Sequence, residues 1–270
     1  MRTLQILYSS PLLQIGDVLC TEGCGHGRHE ESCPVSSLAL VRRGTFVRRD
    51  RLGRHVADAT RAVFFNGGEP YTVDHPLPGG DQCTSLVFVE PVLREAVRQP
   101  RGESEQPFKA AVNAVEPAVQ LAHRKLLAAA KAGDGLAAEE SALRVLELCV
   151  NGDEKPARRG PAFNQAAHLA AEAQVLVAGL FTERLTLGRL ATDLGVSPFR
   201  LCRAFRRATG GSLHRHLTDL RLAAALEKLP AYRERLTDLA LDLGFSSHSH
   251  FTQAFRSRYG CTPSTWLQAA

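Results

Sequence analysis

Short runs of β-branched, aromatic and aliphatic residues, broken by Gly, Pro, Asp and Asn, fill the first third of the chain. The runs Leu4–Leu7, Leu12–Leu19, Ser37–Val41, Thr45–Arg48, Ala62–Phe65, Tyr71–Val73 and Thr84–Val89 predict strands. Many short strands with regular turn signals predict a sandwich or small barrel. The pattern changes at Pro91, which suits the first turn of a helix over Val92–Arg98. Apolar positions then recur at helical spacing over Phe108–Ala132 and Leu136–Val150, with Pro117 expected to kink or restart the first. In the second, Leu143, Leu146 and Val150 fall at helical spacing. Two uses of these helices stay open: pairing between subunits, or packing against their own strands. The polar, Pro- and Gly-containing stretch Asn151–Pro161 reads as a linker. The expected division is therefore a strand-rich domain at 1–150, a linker at 151–162 and a helical domain at 163–270, an α+β chain.

The helical part contains an internal repeat. LGRLATDLGVSPFRLCRAFRRATGGS, from Leu187, is echoed by LTDLALDLGFSSHSHFTQAFRSRYGCTPS, from Leu236. Leu187, Leu190, Ala191, Leu194 and Gly195 match Leu236, Leu239, Ala240, Leu243 and Gly244 at an offset of 49. Past the turn Leu201, Phe205, Arg206 and Gly210 match Phe251, Phe255, Arg256 and Gly260 at an offset of 50, so the second copy carries one extra turn residue. Each copy, about 187–210 and 236–260, predicts a short helix, a turn and a second helix. Leu187, Leu190 and Leu194 are expected to form an apolar stripe. Gly195 stops the first helix in a left-handed conformation, and Ser197 caps the next with Pro198 in its first turn. Leu201 and Phe205, four apart, then face inward, as do Phe251 and Phe255. This is the design of a helix-turn-helix, whose second helix enters the major groove of DNA. His214–Leu229 is long enough to form one helix linking the copies.

Charge agrees with that reading. Residues 161–270 hold 13 of the 33 Lys and Arg but 8 of the 28 Asp and Glu, so the whole net charge of +5 lies there. A basic domain beside a neutral one points to a polyanionic partner for the basic part alone.

The C-terminal hundred residues resemble the AraC/XylS family of transcription regulators. The segment DLALDLGFSSHSHFTQAFRSRYGCTPSTW, Asp238 to Trp266, carries the resemblance nearly throughout, and LGVSPFRLCRAFRRATGGS with Arg221 and Leu222 extends it. The resemblance implies a seven-helix domain with two helix-turn-helix units. It also implies that Phe199, Cys202 and Arg203 in the first unit, and Ser249, His250 and Gln253 in the second, face the bases of double-stranded DNA. Arg203 suits guanine, Gln253 adenine and Phe199 a thymine methyl, whereas Cys202 is a poor hydrogen-bonder. Arg200, Arg206, Arg207 and Arg256 are expected to hold phosphates. The segment from Phe64 to Phe88 resembles barrel segments of one AraC-like subgroup, which implies a cupin-like β-barrel that senses a small ligand and dimerises. A homodimer and contact with RNA polymerase go with such a regulator.

The seven cysteines, with no signal-peptide pattern and no run long enough to span a membrane, suggest a cytoplasmic protein and no disulfide framework. Cys20, Cys24, His26, His29 and Cys33 gather five soft ligands within a short stretch, which suits zinc or copper(I), although the spacing is no established finger. His75, Asp81 and Cys83 lie where they offer further ligands. Two rival readings remain: a cupin-type metalloenzyme with a helical appendage, and a DNA-binding protein without an effector. No nucleotide-binding or hydrolase motif is present to favour catalysis.

Overall fold

The computed structural model describes residues 2–21, 30–97, 106–151 and 161–269. Contacts divide the chain into two compact units, Met1–Lys155 and Pro156–Ala270. The expected linker at 151–162 falls mostly outside the described residues.

The first unit contains β1 (Arg2–Ser9), β2 (Leu13–Cys20), β3 (Glu30–Ser32), β4 (Ser37–Gly44), β5 (Phe46–Asp50), β6 (Gly53–Ala57), β7 (Arg61–Phe65), β8 (Pro70–Asp74) and β9 (Asp81–Phe88), followed by α1 (Glu90–Ala96), β10 (Val112–Ala114), α2 (Pro117–Ala132) and α3 (Gly135–Val150). The strands form two antiparallel sheets, ordered β1-β2-β9-β4-β7-β10 and β3-β8-β5-β6. They do not close into one barrel among the described residues, which corrects that part of the expectation and leaves the α+β class intact.

Alternation along the strands explains the layering. Leu38 and Leu40 of β4, Phe64 of β7 and Leu86 and Phe88 of β9 point one way, into a core shared with Val119, Leu126, Ala138, Val145 and Leu146 of α2 and α3. Their neighbours Ala39, Val41, Val63, Phe65 and Cys83 point the other way, onto Phe46, Ala57 and Tyr71 of the smaller sheet. The apolar faces of α2 and α3 are thus taken up by their own sheet. Leu146 is fully buried, while Leu143 is 37% exposed.

Arg48 and His123 are among the polar groups that sit deep in this unit. Arg48 of β5 is 1% exposed, bonds the Phe64 carbonyl, lies 2.9 Å from the Asp50 carboxylate and stacks 4.6 Å above the Phe65 ring. His123 of α2 reaches the Thr84 hydroxyl of β9 at 2.8 Å. Burial, and secondarily Arg42 and Arg124, pushes that imidazole down to about 3, so it is neutral in the core.

The helix expected over Phe108–Ala132 begins later than its sequence period suggests. Val112–Ala114 pairs with β7 as an edge strand, and the helix starts at Pro117, where a missing N–H costs nothing.

The second unit is helical: α4 (Pro161–Leu180), α5 (Leu187–Asp193), α6 (Pro198–Thr209), α7 (Leu213–Lys228), α8 (Leu236–Asp242), α9 (His248–Tyr259) and α10 (Pro263–Ala269), with a 3-10 turn at Leu229–Tyr232. Seven α-helices are therefore seen among its described residues, the number the family resemblance implies. Thr186, Ser197, Ser212 and Ser247 each accept a hydrogen bond from a backbone N–H in the first turn of the helix they precede. These caps place the helix starts.

Candidate nucleic-acid interface

In each repeat a short helix, a left-handed glycine and a capped second helix follow in order. Gly195 has φ 64° and Gly244 φ 80°, the conformation that stops α5 and α8. The one extra residue of the second copy lies between Gly244 and its cap, so that Phe245 and Ser246 precede Ser247. Phe245 is buried and packs on Phe251 at 5.3 Å. Burial of the α5 stripe is narrower than its spacing suggests. Leu190 and Ala191 are buried, but Leu187 is 40% exposed and Leu194 is half-buried.

The second helix of each copy is sharply two-sided. Leu201, Ala204 and Phe205 of α6 and Phe251, Phe255 and Tyr259 of α9 are buried. Burying each of the larger side chains is worth about 1.5–3 kcal/mol, which fixes the rotation of the helix about its axis. The opposite faces hold every residue singled out from the sequence: Phe199, Arg200, Cys202, Arg203, Arg206 and Arg207 on α6, and Ser249, His250, Gln253 and Arg256 on α9 are all exposed. Phe199, at 75% exposure, is a large apolar ring left in water. Among the described residues Arg200, Arg203, Arg206, Arg207 and Arg256 form no ion pair with a carboxylate. His250 is held from two sides, by the Ser246 hydroxyl 3.0 Å from Nδ1 and by the Phe245 ring edge-on at 5.4 Å.

The positioning roles of Arg221 and Arg258 escaped the sequence reading. Arg221 of α7 is buried, and its guanidinium donates to the carbonyls of Phe181, at 2.7 Å, and Glu183, at 2.8 Å. It also lies 5.6 Å from the Phe245 ring centre, so one side chain touches both the entry to the first repeat and the turn of the second. Burial lowers its pKa from the ordinary arginine value, yet a guanidinium with two carbonyl acceptors stays charged. Gly244 is tied to the same point, because a Cβ there would meet the Thr182 carbonyl oxygen at 2.5 Å. Arg258 of α9 faces α7 and not the exposed side, 3.5 Å from Asp219.

Of the soft-ligand group expected in the first unit, Cys20 and Cys33 are among the described residues. Cys24, His26 and His29 lie outside the described residues. Cys33 contacts the Tyr71 hydroxyl at 3.2 Å. Cys20 lies instead beside His75 and Asp81, from the far end of the sheet sequence. An open cleft of ≈ 640 Å³ lined by Ser9, Leu13, Val35, Phe88, Leu93 and Pro107 lies elsewhere in the unit.

A model described as a helix-turn-helix domain matches residues 190–269. Over 78 residues the chain is 33% identical to the virulence regulon transcriptional activator VirF of Yersinia enterocolitica, covering 29% of each chain. Over 83 residues it is 35% identical to the transcriptional regulator GadX of Escherichia coli, covering 31% of this chain and 30% of that one. The chain thus spans about 29% of the length of the first curated relatives it matches. A fatty-acid-bound ToxT from Vibrio cholerae aligns over 96% of both chains, with a TM-score of 0.36 and 11% identity. The C-terminal unit is a DNA-binding domain of the helix-turn-helix class. More particularly, over this region the chain is similar to the transcriptional activator VirF and the transcriptional regulator GadX.

Proposed function

We propose that this chain is a sequence-specific transcriptional regulator that docks α6 and α9 into successive major grooves of double-stranded DNA. The observation that carries the reading is the duplicated two-sided helix, with buried aromatics on one face and exposed arginines and polar side chains on the other. In this reading Phe199, Cys202 and Arg203 face bases in one groove, and Ser249, His250 and Gln253 in the next. Arg200, Arg206, Arg207 and Arg256 hold phosphates, which sets register without reading sequence. The two grooves lie about 34 Å apart on one side of the duplex, which one linking helix such as α7 suits.

The sheet-containing unit, from residue 1 to about 150, serves as a sensor and dimerisation module, and a polar linker at 151–162 joins it to the DNA-binding domain at 163–270. A small ligand there changes the population of DNA-binding states in a cytoplasmic homodimer. The relatives named above, a transcriptional activator and a transcriptional regulator, support the regulatory part of this reading, and contact with RNA polymerase goes with it. Genome-wide mapping of DNA bound by the full chain tests the proposal. A recurring motif with two elements about one helical turn apart is expected. Uniform binding to all sequences, with no motif, overturns it.

A further inference from the structure

Three donor groups of different chemistry meet at one end of the space between the two sheets. Cys20 closes β2, Asp81 opens β9, and His75 stands on the loop between β8 and β9. One ligand atom from each lies within 4.8 Å of the others. All three are shielded from water: Cys20 is 6% exposed, and the His75 and Asp81 side chains 8% and 6%.

The backbone explains the convergence. Cys20 and Asp81 are direct partners in the β2–β9 ladder, so their side chains leave the sheet on the same face. Cys83, two residues along β9, shares that face, and its thiol donates to Asp81 Oδ2 at 2.9 Å. This bond leaves Oδ1 turned toward His75 Nε2, 2.6 Å away. Gly80, with φ 67°, brings the loop down on β2 so tightly that a Cβ would collide with the Cys20 carbonyl. The loop has one way to lie, and it sets His75 over the strand pair.

We propose that Cys20, His75 and Asp81 form a site for a zinc-class divalent metal ion, with the Cys83 thiol orienting the carboxylate from behind. A thiolate, an imidazole and a carboxylate are ligands for such an ion, and donors around a tetrahedral zinc stand about 3.3–3.6 Å apart. The His75–Asp81 contact, at 2.6 Å, reaches that value by opening by less than about 1 Å, and the Cys20 sulfur already stands within 4.8 Å of both. A buried carboxylate beside a thiol and an imidazole is costly without a cation, and the ion removes that cost. The hydrogen bond from Cys83 to the outer carboxylate oxygen is the supporting contact that metal-binding carboxylates usually have. Three protein donors leave one position for water or an added ligand. The site does not depend on the DNA-binding reading.

The test uses the full chain without an affinity tag, stripped by a chelator and titrated with Co²⁺ and then Zn²⁺. One equivalent of Co²⁺ is expected to bind with a thiolate-to-metal charge-transfer band, which Zn²⁺ displaces. Cys20→Ser should abolish the band, and His75→Gln and Asp81→Asn should each weaken Zn²⁺ binding at least tenfold. Cys83→Ala should keep the band with an affinity several-fold lower. A combined Cys24→Ser, His26→Gln, His29→Gln variant should bind like the parent. Circular dichroism and metal-free melting show which variants fold. His75→Gln changes a loop residue and decides the matter where Cys20→Ser does not fold. Absence of a stoichiometric thiolate-bound metal overturns the assignment. So does parent-like binding by folded Cys20→Ser or His75→Gln, or loss of binding in the combined variant alone.

Discussion

Arg258 of α9 and Asp219 of α7 lie 3.5 Å apart with side chains only 11% and 18% exposed. The pair ties the second recognition helix to the helix that links the two repeats, from the side that faces away from solvent. Shielded from water more than a surface pair, it is expected to contribute about 1 kcal/mol, at the upper end of the range for exposed pairs. Asp219→Asn and Arg258→Gln should each lower stability by about that much. A double-mutant cycle in urea should return a coupling above about 0.5 kcal/mol. The same variants should weaken DNA binding by a few-fold, although neither residue faces the duplex.

Arg203→Ala and Gln253→Ala should each weaken binding to the preferred site by roughly 1–3 kcal/mol and relax the preference at one base pair. Arg207→Ala should weaken all sequences about equally and reduce the slope of log affinity against log salt by about 1. Mobility-shift titrations on matched and single-mismatch duplexes at several salt concentrations separate the two behaviours. Equal loss on all duplexes for Arg203→Ala would remove its base-reading role.

Arg221→Met should cost about 2–3 kcal/mol in the C-terminal unit, because the carbonyls of Phe181 and Glu183 lose a charged donor in a buried place. Arg221→Lys should recover little of it, since an ammonium does not reproduce the planar fork. The midpoint of urea unfolding, followed with the DNA-binding unit's helical signal, reads the effect.

His123 gives the N-terminal unit a pH dependence of known sign. Its folded pKa is lowered from 6.5 to about 3, so the unfolded chain takes up a proton that the folded core refuses. Stability from this residue is complete above about 6.5 and is lost as pH falls toward about 3. The limiting slope is about 1.4 kcal/mol per pH unit. Melting temperatures taken between neutral pH and the mid-acid range should fall, and His123→Asn should flatten that fall even though it lowers stability at neutral pH.

Much of the C-terminal unit was legible because its signals are local. Glycine at a helix stop, serine at a cap and two aromatics four apart are read from a few residues each. The rotation that exposes Arg203 and Gln253 follows from Phe205 and Phe255 alone. The apolar stripe of α5 was overread because helical spacing does not say how wide the covering surface is, and Leu187 lies beyond it. In the first unit β3 and β6 escaped notice because EES and GRHVA carry little apolar alternation. The edge strand β10 hid in a stretch rich in alanine and valine that also suits a helix. Two separate sheets and a closed barrel leave the same alternation along each strand, so pattern alone did not tell them apart. Cys20 meets Asp81 through strand register, which spacing along the chain does not encode. Arg48 looked like the polar end of a strand, and only the neighbouring sheet shows it buried.

The two faces of α6 and α9 also bear on how such a protein changes over time. Phe205, Phe251 and Phe255 keep the domain folded, whereas Arg203, Ser249 and Gln253 carry almost no packing, and exposed substitutions of that kind usually alter stability by less than about 0.5 kcal/mol. Operator preference can therefore drift by single substitutions on the outer face while the scaffold stays untouched. Duplication doubles that freedom, since one copy can hold an existing target while the other explores a new one.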